Sequence, residues 1–190
     1  MRHLLIFLLC FPVFSHAKTI FEPNLGLNYG AFSERISRSD QLATGTEVSA
    51  VFTALNAGFR YGITRRYMHV AAVVEGYLIN VSGLTATSGG SAVSTAGVAT
   101  DTIFETNIGL GIGYEWNIPL RTYIILGSPF SGLELSYYFS DTFTLGLKYT
   151  QMSDIEFAGG EVDVSTFGVA VTFPIEFNYP DHWFRKKDWE

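Results

Sequence analysis

Beyond its first seventeen residues the chain carries two histidines, His69 and His182. Nucleophilic hydrolysis wants a hydroxyl activated by an imidazole that a carboxylate orients. Neither histidine opens a His-x-Ser pair, so nothing in the spacing supports an esterase or deacylase centre. Gly109-Leu110-Gly111-Ile112-Gly113 has the glycines of a nucleotide-binding loop but no helical pattern after it, and its strict every-second spacing belongs to a strand. Asp154, Glu156, Glu161 and Asp163 form an acidic stretch without metal-ligand spacing, and Asn80-Val81-Ser82 is an incidental sequon. What remains is a set of isolated charges within apolar segments: Arg60, Glu75, Glu115, Arg121, Glu134 and Lys148. No catalytic residue, cofactor or metal is expected from these patterns.

The elements that carry those charges follow from composition. Met1-Arg2-His3, an apolar run over residues 4–14 and Ser15-His16-Ala17 read as an export signal, with cleavage between Ala17 and Lys18. About eleven apolar residues are too few to span a bilayer. Cys10 lies inside that run after Leu9, which argues against a lipoprotein and leaves no cysteine for a disulfide. Removal of residues 1–17 leaves 11 basic against 18 acidic side chains, a formal charge of −7 that disfavours a nucleic-acid partner. The whole chain is 47% hydrophobic and 16% charged, against roughly 25% charged in an average soluble domain. No stretch after residue 17 approaches the ~20 apolar residues of a membrane helix. A membrane protein without helices must close its sheet, because hydrocarbon leaves no backbone group unpaired.

Period-two alternation runs through the rest of the sequence. One face carries Leu25, Leu27, Tyr29 and Ala31, and later Leu55, Ala57, Phe59, Tyr61 and Ile63. It continues with Met68, Val70, Ala72, Val74 and Leu78, then Thr106, Ile108, Leu110, Ile112, Tyr114 and Trp116. Segments starting at Leu120 (its faces ambiguous), Leu133, Phe143 and Phe167 bring the total to eight, the smallest even number usual for membrane barrels. The fold expected is all-β, an eight-stranded antiparallel up-and-down transmembrane barrel over residues 18–176, with a periplasmic tail over 177–190. Short connections at Thr64-Arg65-Arg66, Asn117-Ile118-Pro119 and Ser140-Asp141-Thr142 face longer ones at about residues 33–52, 80–101 and 153–163. Residues 81–100 read as a flexible low-complexity loop; Ser128-Pro129-Phe130-Ser131 is short.

Paired residues must share a face. A two-residue turn at Arg65-Arg66 pairs Ile63 with Met68, and a turn over Ser128 to Ser131 pairs Leu126 with Leu133. Turns at Ile118 and Asp141 oppose Glu115 to Arg121 and Glu134 to Lys148. These are expected as lumenal ion pairs of structural character, with Arg60 and Glu75 nearby, since a charge facing lipid costs ~2–4 kcal/mol at midplane. Five glycines, Gly26, Gly58, Gly109, Gly111 and Gly113, share that polar face and suit a crowded lumen better than a solvated exterior. Aromatics gather at the strand ends: Tyr61, Tyr67, Trp116, Phe139, Phe143 and Phe173 toward one rim, Tyr29, Phe32, Phe104 and Tyr149 toward the other, as at membrane–water interfaces.

In this architecture the sequence resembles the small eight-stranded outer-membrane barrels, the OmpA/OmpX-like group. Thr166-Phe167-Gly168-Val169-Ala170-Val171-Thr172-Phe173 looks like the last-strand signal read by the barrel-assembly machinery, carried by Thr166, Gly168, Val171 and Phe173. That family usually ends at this aromatic, whereas seventeen residues follow here, too few for a peptidoglycan-binding domain. The resemblance implies a monomeric bacterial outer-membrane protein whose partners are outer-membrane lipid, lipopolysaccharide and, during biogenesis, the assembly machinery. Its role would be structural or surface-interacting; the alternatives are a narrow pore for ions or small solutes and a lipid A-modifying enzyme.

Overall fold

The computed structural model describes residues 18–35, 45–95, 102–157 and 160–177. Ala17 of the expected cleavage site, His182 and the tail from residue 178 onward lie outside them. Among the described residues ten strands form: β1 (Lys18–Arg35), β2 (Glu47–Arg65), β3 (Met68–Ser88), β4 (Ser91–Val93), β5 (Ile103–Glu115), β6 (Leu120–Ser128), β7 (Phe130–Ser140), β8 (Phe143–Phe157), β9 (Gly160–Thr172) and β10 (Ile175–Phe177). Eight of them close into an antiparallel ring, β1-β2-β3-β5-β6-β7-β8-β9, with β9 returning to β1. β4 only folds back on the end of β3, and β10 continues the register of β9 along β1.

Stepping across directly opposed residues from Ile20 leads through Gly62, Ala71, Gly111, Ile125, Gly132, Thr150 and Thr166 to Gly30. The circuit thus returns to β1 ten residues from where it left, between Ile20 and Gly30. Such stagger tilts the strands by ~40° and gives eight strands a bore just wide enough for side chains to fill it.

Alternation sorts the wall as expected over its lower two-thirds. Leu27, Leu55, Ile108, Leu110, Leu126, Leu147 and Phe167 point outward and are exposed, while Asn28, Asn56, Arg60, Glu75, Asn107 and Lys148 are buried inside. The ambiguous sixth strand resolves with Arg121, Tyr123 and Ile125 inward. An apolar exterior around a polar, closed interior suits hydrocarbon and not water. Aromatic contacts run around the turn end, from Tyr67–Tyr114 at 6.2 Å and Tyr114–Trp116 at 5.2 Å to Phe139–Phe143 at 5.8 Å and Phe143–Phe173 at 5.9 Å. At the opposite end Tyr149 meets Phe167 at 5.0 Å. Phe32, expected in that second rim, is instead buried inside against Phe52, 5.1 Å away.

Three turns differ from expectation. The one between β7 and β8 does so only locally: Ser140 pairs with Phe143 around an Asp141-Thr142 tip, and a slip after Tyr138 keeps Glu134 opposite Lys148. The tip between β2 and β3 is Arg66-Tyr67, so Ile63 pairs with Val70 and Arg65 with Met68. At the other end Leu133 pairs with Ile124, not Leu126. These last two registers slide by two residues, which keeps every face and escapes a test based on parity alone. The long connections also differ: β1, β2, β3, β8 and β9 continue into them as paired strands, and β3 turns only at Gly89-Gly90. Inside this extension Phe52, Ile79, Val81, Met152, Ile155 and Val164 pack as an apolar core, and Phe130 closes it from the short side. Bulges make this possible. β2 and β3 slip between Ser49 and Val51, with Gly83 at φ +63°, and β8 slips between Met152 and Ile155, with Asp154 at φ +56°. Each inserts one residue and so returns Leu84 and Ile155 to the inner face. Low complexity over residues 81–88 therefore marks a strand of small residues against a core, not a loop.

Candidate functional site

The charges scattered through the sequence converge in the lower lumen. Glu134 and Lys148 stand opposite each other, as do Glu115 and Arg121. Their ion partners are nevertheless different from those expected. Arg60 crosses the bore to Glu134, Arg121 crosses to Glu22, and Lys148 Nζ reaches Glu75 Oε1 at 2.8 Å. Glu115 Oε1 lies 2.7 Å from His69 Nε2 and accepts a hydrogen bond from the Tyr138 hydroxyl at 2.7 Å. The bore of an eight-stranded barrel is narrow enough for long side chains from opposite walls to meet. Register predicts which residues share a level; it does not predict which will touch.

All six residues expected in the lumen are there, and each is buried. Arg60, Arg121 and Glu134 have no solvent exposure at all. Such burial is tolerable only with close pairing and further hydrogen bonds. Glu134 also accepts from Ser136 Oγ at 2.5 Å, and Glu22 lies 3.9 Å from Arg60. The Tyr123 ring sits beneath both arginines, 4.3 Å from the Arg60 guanidinium and 5.3 Å from that of Arg121. Cation–π attraction is worth most in such desolvated places. Gly111 and Gly113 make room for that ring: a Cβ at Gly111 would lie 2.2 Å from Tyr123 Cε1. Two of the five expected lumenal glycines thus serve one specific neighbour, whereas Gly26, Gly58 and Gly109 abut other strands.

Glu22, His69, Ser136, Tyr77, Tyr123 and Tyr138 were not among the expected site residues. Glu22 shares the inward parity of Asn24 and Asn28, and extending the first alternating segment two residues back would have reached it. Tyr77 joins the two halves of the interior. Its hydroxyl donates to Glu75 Oε2 at 2.8 Å and accepts from Lys148 Nζ at 2.8 Å, while its ring meets Phe130 edge-on at 4.6 Å. Of the last-strand residues, Thr166 points inward and Phe173 outward, but the strand path does not end there. The Phe173 amide donates to the Pro23 carbonyl at 2.9 Å, and pairing resumes at Ile175. Lys18 opens β1 opposite Thr64.

This lower lumen is a plug in which three cations, Arg60, Arg121 and Lys148, lie among four carboxylates, Glu22, Glu75, Glu115 and Glu134. His69, the one described histidine, is held by Glu115 at the turn end, inside the wall. Among the described residues no group of three or more His, Cys, Asp or Glu side chains is placed to hold a metal ion.

No protein-family model matches the sequence, and no curated protein is similar to it. Among solved structures, Ail, the attachment invasion locus protein of Yersinia pestis, is 8% identical. That comparison covers 83% of this chain and 99% of Ail, with a TM-score of 0.26. Neisserial surface protein A is 12% identical over 81% of this chain and 96% of its own, with a TM-score of 0.29. Ail in complex with the heparin analogue sucrose octasulfate is 7% identical, at 83% and 99% coverage and a TM-score of 0.28. At these identities and scores, the assignment of this chain as an eight-stranded barrel rests on its own closed ring.

Proposed function

We propose that this chain is an exported outer-membrane barrel that holds a rigid β collar above the membrane as a surface-interaction module, and that it neither conducts nor catalyses. The reversal of its faces carries the reading. Over the lower wall apolar residues face out; over the collar they face in, and Asn80, Thr85, Thr87, Asp163 and Ser165 face out instead. A wall that is apolar outside belongs in lipid, and one that is polar outside belongs in water. The buried belt around Arg60 argues against a pore, and His69, the one described histidine, is buried in the wall, where a substrate would not reach it.

In cells, a cysteine replacing Ser88 should react with a membrane-impermeant maleimide, and the mature chain should begin at Lys18. A Ser88→Cys protein found in the outer membrane but unlabelled in intact cells would refute surface display. Refolded protein should be silent in planar bilayers; steady openings altered by Lys148→Glu would establish the pore instead.

A further inference from the structure

Outside the barrel, at the turn between β2 and β3, a groove of about 500 Å³ is lined by Ile63, Arg65, Arg66, Tyr67, Met68, Val70 and Tyr114. Its chemistry changes along its length. Ile63 and Val70 are partners on the outer, apolar face, continuous with the hydrocarbon-facing wall. Tyr67 and Tyr114, with ring centroids 6.2 Å apart, stand at the level where aromatic rings mark the interface. Arg65 and Arg66 close the end that faces water. Arg66 is exposed and sits at φ +53°, one of two non-glycine residues with positive φ among those described. Asparagine or glycine adopts that conformation more readily, so turn geometry gives no reason for an arginine here.

We infer that this groove is a binding site for one anionic phospholipid of the leaflet around the turn end, its phosphate between Arg65 and Arg66 and an acyl chain along Ile63 and Val70. The occupant is fixed by charge and polarity together. A planar guanidinium matches phosphate oxygens in a bidentate manner, and an apolar trough beside Ile63 and Val70 suits a chain already in the bilayer. A free phosphate would use the first feature alone.

The inference rests on the proposed function, with the collar outside and the turn end in the inner, phospholipid leaflet. Native mass spectrometry of the detergent-folded protein, titrated with dioleoylphosphatidylglycerol or dioleoylphosphatidylcholine, tests it. One phosphatidylglycerol should be retained in preference to phosphatidylcholine. Its affinity should fall about thirtyfold in Arg65→Gln/Arg66→Asn, at about 1 kcal/mol for each arginine. Asparagine at 66 suits the left-handed turn, so this variant should fold at least as well. Equal retention of the two lipids, or retention unchanged in the variant, would overturn the site. Displacement of the lipid by inorganic phosphate alone would overturn the acyl contact. Heat-modifiable gel migration of the same sample separates the two levels: its loss would overturn the barrel reading and the site with it, whereas a heat-modifiable protein without lipid selectivity loses the site only.

Discussion

The lower barrel and the collar are built from the same strands and solve opposite problems. Around Leu147 and Ile108 the wall is apolar outside, and its interior is held by Arg60–Glu134, Arg121–Glu22 and Lys148–Glu75. Above Tyr77 the interior is Phe52, Ile79, Met152 and Val164, and the outside is polar. In lipid there is no hydrophobic gain from filling the bore with apolar side chains when the outside is equally apolar, so directional contacts must specify the interior. In water the ordinary gain from burying apolar surface returns. Tyr77, ring upward and hydroxyl downward, marks the change.

The largest effect should come from breaking a pair in the charged plug. Arg60→Leu leaves Glu134 buried without its principal cation, and breaking such a pair costs ~3–5 kcal/mol. The midpoint of urea unfolding in vesicles should fall accordingly, and Arg60→Leu/Glu134→Leu should recover much of the loss. A single variant as stable as the parent would show that the plug is not the specifying element. Phe52→Ala should cost ~3–5 kcal/mol as a core truncation, but within the collar. Hydrogen exchange should rise in residues 47–54 and 77–86 while the heat-modifiable barrel persists; loss of that gel shift would mean the two regions unfold together.

Exterior substitutions sharpen the same contrast. Leu147→Arg, in the belt, should cost ~2–4 kcal/mol in vesicles. Thr87→Arg, on the exposed collar, should stay within ~0.5 kcal/mol of the parent. Equal penalties would place both residues in the same medium. Two glycine substitutions carry intermediate effects. Gly111→Ala forces the Tyr123 ring away from Arg60 and should cost ~1–3 kcal/mol as overpacking. Gly89→Ala meets no atom within 4 Å but must adopt φ +59°, a strain of ~1 kcal/mol confined to the collar tip.

Alternation alone located the eight barrel segments, the inward face of Glu134, Lys148, Arg60, Glu75, Glu115 and Arg121, and the short turns at Ile118 and Asp141. The collar escaped because bulges at Gly83 and Asp154 reset the phase, so that Leu84 and Ile155 fall on the wrong parity for a regular strand. A period-two search then reads structure as loop. Glu22 escaped for a simpler reason: Pro23 interrupts the pattern just before Asn24.

The opposed ion pairs show where local reasoning stops. Strand spacing fixes the direction of each side chain, because successive Cβ atoms must point to opposite faces. That much was determined by the sequence by itself: a closed sheet, with these charges inside. Which carboxylate meets which cation depends on the stagger of ten residues around the ring, between Ile20 and Gly30, and on the width it imposes. Only the closed tertiary structure brings Arg60 to Glu134 and Arg121 to Glu22, because partners on opposite walls have no fixed relation along the chain.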